Sequence, residues 1–98
     1  LEKAVENNPG LGDAYRVLGL ARLQRKNLPK AKEALQTALT LNPQDAEIHY
    51  ALGVFYGAAK EPAKAANAYD RYLELKPDAQ DKEKVEEWVE KLRGATKK

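Results

Sequence analysis

A sequence period of 34 residues constrains this chain more than any other feature. Pro9, Pro43 and Pro77 lie 34 residues apart, and nine of the 34 positions are identical when residues 12–45 are set over residues 46–79. A fixed period of this size is typical of proteins in which one small structural unit stacks on the next. We therefore expect a repeat architecture in which each unit buries its apolar face against its neighbours.

Each unit is predicted to contain two helices. In the first helix, the pattern residues fall at i, i+3, i+4 and i+7, which is one face of an α-helix, and most of them are apolar or small. These positions hold Tyr15, Leu18, Gly19 and Arg22 in one unit and His49, Leu52, Gly53 and Tyr56 in the next. Pro29 and Pro62 suit the first turn of the second helices, whereas Pro43 and Pro77 disfavour helical backbone in the residue before them. No segment alternates as a strand would, so an all-α chain is predicted.

These residues and their spacing resemble the tetratricopeptide repeat, a helix–turn–helix unit with the pattern W-x2-L-G-x2-Y … A-x3-F … P over 34 residues. The first unit matches it as Tyr15-x2-Leu18-Gly19 … Ala31-x3-Leu35 … Pro43, and the second as His49-x2-Leu52-Gly53-x2-Tyr56 … Ala65-x3-Tyr69 … Pro77. The chain departs from the family at Arg22, His49 and Tyr72, where an aromatic residue, a tryptophan and an alanine are preferred. The resemblance implies an α-solenoid of antiparallel helix pairs that serves protein–protein interaction.

The period also suggests how the chain is organised, with about six helices in all. Leu1 and Ala4 lie one period before Leu35 and Ala38, so the chain is expected to open with the second helix of a truncated repeat. The predicted segments are this half-repeat at 1–11, complete repeats at 12–45 and 46–79, a capping helix at 80–93 and a frayed tail at 94–98. Because the first repeat is broken, we expect the chain to be an excerpt of a longer repeat protein.

The last helix is expected to end the solenoid. Val85, Trp88, Val89 and Leu92 follow helical spacing and match the first-helix pattern after a shift of two residues. Val89 then takes the place of the glycine, which leaves no room for a further second helix. Such a terminal helix covers the apolar side of the last repeat and turns charged side chains to solvent. Gly94 is the expected end of this helix.

Small residues are predicted where paired helices come closest, because a larger side chain would hold the backbones apart. These residues are Gly19, Ala31 and Ala38 in the first repeat and Gly53 and Ala65 in the second. Lys26 and Lys60 stand where the family often has a turn glycine. We therefore expect the turns to be formed by the residues that follow, Asn27 and Glu61.

Composition argues against an enzyme. The chain has no cysteine, which excludes a thiolate nucleophile and zinc sites built on sulfur. Its single histidine, His49, lies on the predicted packing face and is expected to be structural. Gly10-x-Gly12 lacks the third glycine of a phosphate-binding loop, and the carboxylates have no spacing that suggests a metal cage. We expect no catalytic residues, no metal and no cofactor.

Charge argues against nucleic acid and membrane partners. The formal net charge is only +2, too balanced for binding that depends on phosphate neutralisation. Arg22, Arg25 and Lys26 cluster at a helix end, where cations complement the helix dipole, and no aromatic residues are interleaved with them as in single-strand binders. No apolar stretch approaches the roughly 18 residues that a membrane span requires.

The leading functional hypothesis is an adaptor or scaffold module. The family resemblance implies that first helices line a concave groove, which would bind a peptide or helix of a protein partner. The predicted groove residues are Asp13, Arg16, Leu20, Leu23, Gln24, Glu47, Tyr50, Val54, Gly57, Ala58, Glu83, Glu86 and Glu90. A simpler interpretation is that Leu20 and Val54 pack on each other. The lysine and asparagine clamp of the subfamily that binds acidic chaperone tails is not carried over, because its positions hold Arg16, Leu20 and Ala51.

The alternative hypothesis is self-assembly. A half-repeat that begins at residue 1 would lack its first helix and would leave Leu1, Ala4 and Val5 exposed. Repeat proteins need polar caps for solubility, so this open face would pair with another surface. A homodimer is the form that this hypothesis predicts.

Overall fold

The structure, a computed structural model, describes residues 10–96. These residues form five α-helices and no strand. The helices are α1 (Gly10–Gln24), α2 (Leu28–Leu41), α3 (Ala46–Ala58), α4 (Pro62–Leu75) and α5 (Lys82–Thr96). The all-α prediction is confirmed. The half-repeat helix predicted within 1–11 lies almost wholly outside the described residues.

The helices pack in chain order, as a helical-repeat solenoid requires. The closest neighbours are α1 with α2, α3 with α4, and α4 with α5, while α3 also touches both α1 and α2. Consecutive helices are joined by short connections, and they therefore run antiparallel. As a result α3 lies in the middle of the described chain, with a preceding helix pair on one side and α4 and α5 on the other.

Local sequence signals account for the helix ends. The Asn27 side chain accepts a hydrogen bond from the Lys30 N–H (3.3 Å) at the start of α2, and the Asp45 side chain accepts one from the Glu47 N–H (3.0 Å) at the start of α3. Both bonds satisfy donors that have no partner within the helix. At the other end, α2 ends at Leu41 and α4 at Leu75. Each is followed by one C-cap residue, and Pro43 or Pro77 comes directly after it.

The two tight turns differ from the prediction. Lys26 and Lys60 themselves adopt the left-handed conformation, with φ of 61° and 62°, whereas Asn27 and Glu61 keep negative φ. In both turns the residue after the lysine donates its N–H to a carbonyl five positions back, at 2.9 Å. This is a Schellman motif, in which glycine is usual at the left-handed position. The lysines adopt the less favourable left-handed conformation because the hydrogen bonds of the motif fix the backbone at this position.

Two glycines allow the helix pairs to approach closely. A Cβ placed on Gly19 would lie 2.6 Å from Leu35 Cγ, and one placed on Gly53 would lie 2.6 Å from Tyr69 Cε1. Real Cβ atoms do not come this near to other heavy atoms, so α1 and α2, and likewise α3 and α4, meet where a side chain is missing. The predicted close approach at these two positions is confirmed.

The buried side chains form two clusters. The first fills the space between α2 and α3, and α1 and α4 contribute to its edges; it contains Ala31, Leu35, Ala38, Ile48, Ala51, Leu52, Phe55 and Ala68. The second lies between α4 and α5 and contains Ala66, Tyr69, Tyr72, Ala79, Val85 and Val89. Because α3 contributes to the first cluster and its Tyr50 packs against the second, it joins the two parts of the core.

The last helix begins and ends later than expected. It runs from Lys82 to Thr96 and passes through Gly94, which does not have a positive φ. Gly94 therefore does not adopt the left-handed conformation that would end a helix. Val89 is buried against α4, which is compatible with the predicted capping position of this helix.

Gly53 and Gly57 lie one turn apart in α3 and provide a matched test of the close approach. We expect Gly53→Ala to lower the free energy of unfolding by about 1–3 kcal/mol, because its methyl would collide with the Tyr69 ring. Gly57→Ala should instead raise it by up to about 1 kcal/mol, since alanine favours helix and a Cβ there meets no atom within 4 Å. Urea denaturation of both variants checks this. Equal effects of the two substitutions would contradict it.

Candidate functional site

A cleft of about 350 Å³ lies between α3 and α5, with α4 behind it. It is lined by Gly53, Val54, Gly57, Tyr69, Trp88, Lys91 and Leu92. Most of this lining is apolar, and Val54 is 37% exposed. Apolar pockets rimmed by a few polar groups are typical of binding sites. This cleft is therefore the candidate functional site.

An aromatic cluster supports the back of the cleft. Tyr50 packs edge-on against Tyr69 and Tyr72, with ring centroids 5.6 Å and 5.1 Å apart, and Trp88 lies 6.2 Å from Tyr50 and 5.6 Å from Tyr69. Edge-to-face aromatic pairs add stability beyond their buried area. Tyr72 also donates a hydrogen bond to the Asp81 carboxylate at 2.8 Å. Tyr50 is thus part of the junction of α3, α4 and α5 and is not a free groove residue.

The tyrosines of this cluster are held in their protonated form. Burial raises the pKa of Tyr69 to about 12. Burial also raises the pKa of Tyr50, with smaller contributions from the negative charges of Asp81 and Glu47. The pKa of Tyr72 is raised by burial and by its hydrogen bond to Asp81. These phenols therefore stay uncharged throughout the physiological range.

The α1 residues of the predicted groove divide between core and surface. Leu20 and Leu23 are half-buried and pack against the first cluster, to which Val54 does not belong. Asp13 and Gln24 are exposed. Arg16 lies 4.0 Å from Asp13, and its Nε is buried without a hydrogen-bond partner among the described residues. Much of the apolar area that α1 was expected to offer is thus used in packing.

The predicted residues of α3 divide between the cleft and the opposite end of the helix. Val54 and Gly57 line it, and Ala58 follows them as an exposed residue at the end of the helix. Glu47 lies at the other end of α3, where its carboxylate pairs with Lys76 Nζ at 3.3 Å. The structure therefore brings the carboxyl-terminal half of α3 to the site, whereas the charge of Glu47 is compensated by α4.

The structure does not bring the predicted glutamates of α5 to this cleft. Glu86 lines a different cavity of about 620 Å³ on the far side of α5, together with Asn67, Asp70, Leu73, Glu74 and Val89. Glu83 and Glu90 are exposed, and Glu90 follows Glu86 by one turn on the same side. The face that meets the cleft carries Trp88 and Lys91. The placement of Glu83, Glu86 and Glu90 in a groove shared with α1 and α3 therefore stays a prediction.

The larger cavity on the far side of α5 is a less suitable site. Three of its lining residues are carboxylates, and it is a surface depression between α4 and α5. Arg93, at the edge of the same region, pairs with Asp70. A cluster of acidic side chains is usually a solvated surface, so the smaller apolar cleft is the stronger candidate.

A second apolar surface lies on the outer side of α1. Val17 is 57% exposed and Leu18 is 40% exposed. Ala14 and Ala21, on the same face, are exposed as well. The residues one period later, namely Ile48, Ala51, Leu52 and Phe55, are all buried against the preceding helix pair. The exposed face of α1 thus corresponds to the face of α3 that is covered by the preceding repeat. The predicted self-association residues Leu1, Ala4 and Val5 lie outside the described residues.

The remaining sequence candidates take no part in the cleft. The half-buried ring of His49 donates a hydrogen bond from Nε2 to the Pro43 carbonyl at 3.0 Å. Within residues 10–96, no three His, Cys, Asp or Glu side chains are grouped so that they could hold a metal ion. Among the same residues, none of the helices is long and apolar enough to cross a membrane.

The raised pKa of Tyr69 predicts a loss of stability at alkaline pH. A group whose pKa is higher in the folded state stabilises the fold below its unfolded pKa, and this contribution is lost as the pH rises through the folded pKa. The urea concentration at the midpoint of unfolding should therefore fall as the pH rises from about 10, the ordinary tyrosine pKa, to about 12. Circular dichroism with urea at stepped pH measures this. Tyr69→Phe should show a shallower decline, and an equal decline would contradict the assignment.

Comparisons with known proteins agree with this architecture. The tetratricopeptide repeat family model matches residues 17–80, well over half of the chain. The type IV pilus assembly protein PilF of Pseudomonas aeruginosa is 43% identical over 61 residues, which are 62% of this chain and 24% of that protein. The chain thus spans about a quarter of the length of this relative. The 34-residue period, the stacked helix pairs and the family match lead to one conclusion: the chain belongs to the tetratricopeptide repeat family.

Proposed function

We propose that this chain is a non-catalytic adaptor or scaffold module that binds a peptide or helix of a protein partner in the cleft between α3 and α5. Tetratricopeptide repeats generally mediate protein–protein interaction. Their stacked first helices create extended concave surfaces suited to this role. The observation that carries the proposal is an apolar cleft with exposed Val54 in its wall and an aromatic cluster behind it.

The proposed binding surface extends from this cleft toward α1. Arg16 and Gln24 are the polar residues at that end, and Leu20 and Leu23 offer the parts of their side chains that the core leaves accessible. A peptide lying across α1, α3 and α5 would therefore meet polar groups first and the apolar cleft last. A role in assembly, which the name of the Pseudomonas relative states for that protein, is consistent with an adaptor.

The choice of variant decides whether this proposal can be tested cleanly. Tyr50→Ala would remove a ring that packs on Tyr69, Tyr72 and Trp88, and losing a buried aromatic side chain costs about 3–5 kcal/mol. A loss of binding would then not be distinguishable from unfolding. Val54 is a better target, because it is exposed in the cleft wall and belongs to neither buried cluster.

We expect Val54→Arg to abolish capture of a protein partner, because a charged side chain would fill the apolar cleft. The control is Gln36→Arg, which introduces the same side chain at an exposed position of α2 outside both candidate surfaces. Pull-downs from a lysate of the source organism, with captured proteins identified by mass spectrometry, compare both variants with the parent chain. Circular dichroism establishes that all three are folded. A partner lost by both variants, or by neither, would contradict binding in the cleft.

A second candidate function is self-association through the outer face of α1. The observation that favours it is the exposure of Val17 and Leu18 at positions whose counterparts in α3 are buried by a neighbouring helix pair. Exposed apolar patches of this kind often mark interaction sites. The interface would then be formed by α1, with Leu1, Ala4 and Val5 as its proposed continuation.

We expect the parent chain, if it self-associates in this way, to gain mass with concentration in sedimentation experiments up to about 100 μM, a range suited to weak dimers. Leu18→Lys should restore the monomer, because it would place a charge in the interface. Val54→Arg should leave the association unchanged. A parent chain that stays monomeric over this range would exclude the second candidate and would leave the adaptor proposal intact.

A further inference from the structure

The charge at the candidate cleft comes from lysines on α5. Trp88 and Lys91 both line the cleft. Lys84 precedes Trp88 by one turn and is exposed, so the three residues follow one stripe of the helix at i, i+4 and i+7. Lys91 is the only charged residue in the cleft lining. The stripe therefore places the aromatic residue between two lysines.

Two nearby carboxylates, those of Glu47 and Glu87, are each paired with a lysine. Glu47 is paired with Lys76, the C-cap residue of α4, at 3.3 Å. Glu87 lies 3.4 Å from Lys91, but both side chains are largely exposed. Exposed pairs of this spacing contribute little to stability. A carboxylate brought by a ligand can therefore replace Glu87 as the partner of Lys91.

Gly57 keeps part of the cleft open although the fold does not need a glycine there. A Cβ at Gly57 would meet no atom within 4 Å, in contrast to Gly53, where it would strike Tyr69. Glycine in the middle of a helix is less favourable than alanine. The missing side chain thus lowers helix stability without relieving any contact of the described structure, and it leaves space beside Val54 and Trp88.

We infer that the cleft binds an acidic peptide segment of the partner, with one bulky aliphatic side chain seated between Val54, Gly57 and Trp88 and neighbouring carboxylates on Lys91 and Lys84. This inference rests on the proposed binding function and adds the chemistry of the ligand. The apolar wall and the open glycine select the aliphatic side chain. The two lysines select the flanking charge, because opposite charges across an interface favour the matching partner and disfavour the other.

Trp88 allows the inference to be tested directly, because it is the one tryptophan of the chain and lines the cleft. Its fluorescence would be titrated with three blocked pentapeptides, each up to about 10 mM because short ligands bind weakly. The first has a central leucine between glutamates, the second a central leucine between lysines, and the third a central alanine between glutamates. We expect a saturable change with the first peptide, about tenfold weaker binding of the second, and no saturation with the third.

Variants of the protein complete the test. Gly57→Leu should remove binding of the first peptide by filling the cleft, whereas Gly94→Leu, another open helical glycine away from the cleft, should not. Lys91→Glu should weaken binding of the first peptide about tenfold and strengthen binding of the second. Lys32→Glu, the same change on the exposed face of α2, should have little effect. Thermal melts check that the variants are folded.

The outcomes separate the inference from the function on which it rests. If both leucine peptides bind equally and Gly57→Leu removes both, the cleft is a binding site but the acidic preference is wrong. If the alanine peptide binds as well as the leucine peptide, the aliphatic anchor is wrong. If no peptide changes the Trp88 fluorescence and Val54→Arg also leaves partner capture intact, both the inference and the proposed function of the cleft are overturned.

Discussion

The close contact of paired helices at two glycines is the constraint on which the rest of the structure depends. Gly19 lets α1 approach Leu35, and Gly53 lets α3 approach the ring of Tyr69. Because Tyr69 lies against Gly53, the same ring can also meet Tyr50 and Trp88. The core between α4 and α5 and the back of the cleft therefore both follow from one missing side chain in α3.

Much of the fold could be predicted from the sequence, because period, proline positions and small residues depend on spacing along one chain. The helix pairs, the packing glycines and the extent of α2 and α4 are of this kind. The packing stripe of α5 could be predicted in the same way, because Val85, Trp88, Val89 and Leu92 follow helical spacing, and all four belong to or pack against the second cluster. Spacing along one helix does not show how that helix sits against α3, so it could not reveal that Trp88 and Lys91 line the cleft while Glu86 lines the cavity between α4 and α5.

The turns show a different limit of sequence reasoning. Asn and Glu appeared better suited than lysine to an unusual backbone, yet Lys26 and Lys60 are the residues with positive φ. Position within the Schellman motif decides this, because the hydrogen bonds to the preceding helix leave one residue that must reverse the chain. For the site, the sequence identified Val54 correctly as an exposed residue, but it could not reveal that Tyr50 is enclosed by rings from two other helices.

The outer face of α1 has a consequence for how stability is distributed along the chain. The only buried residues of α1 are its two glycines, Gly12 and Gly19, so none of the larger side chains of this helix is fully buried. Local opening is easiest where few side chains are buried. A molecule that covers Val17 and Leu18 binds only the folded form of α1, and by linkage it stabilises that form. The protection of the α1 amides against hydrogen exchange would then increase with the concentration of the partner.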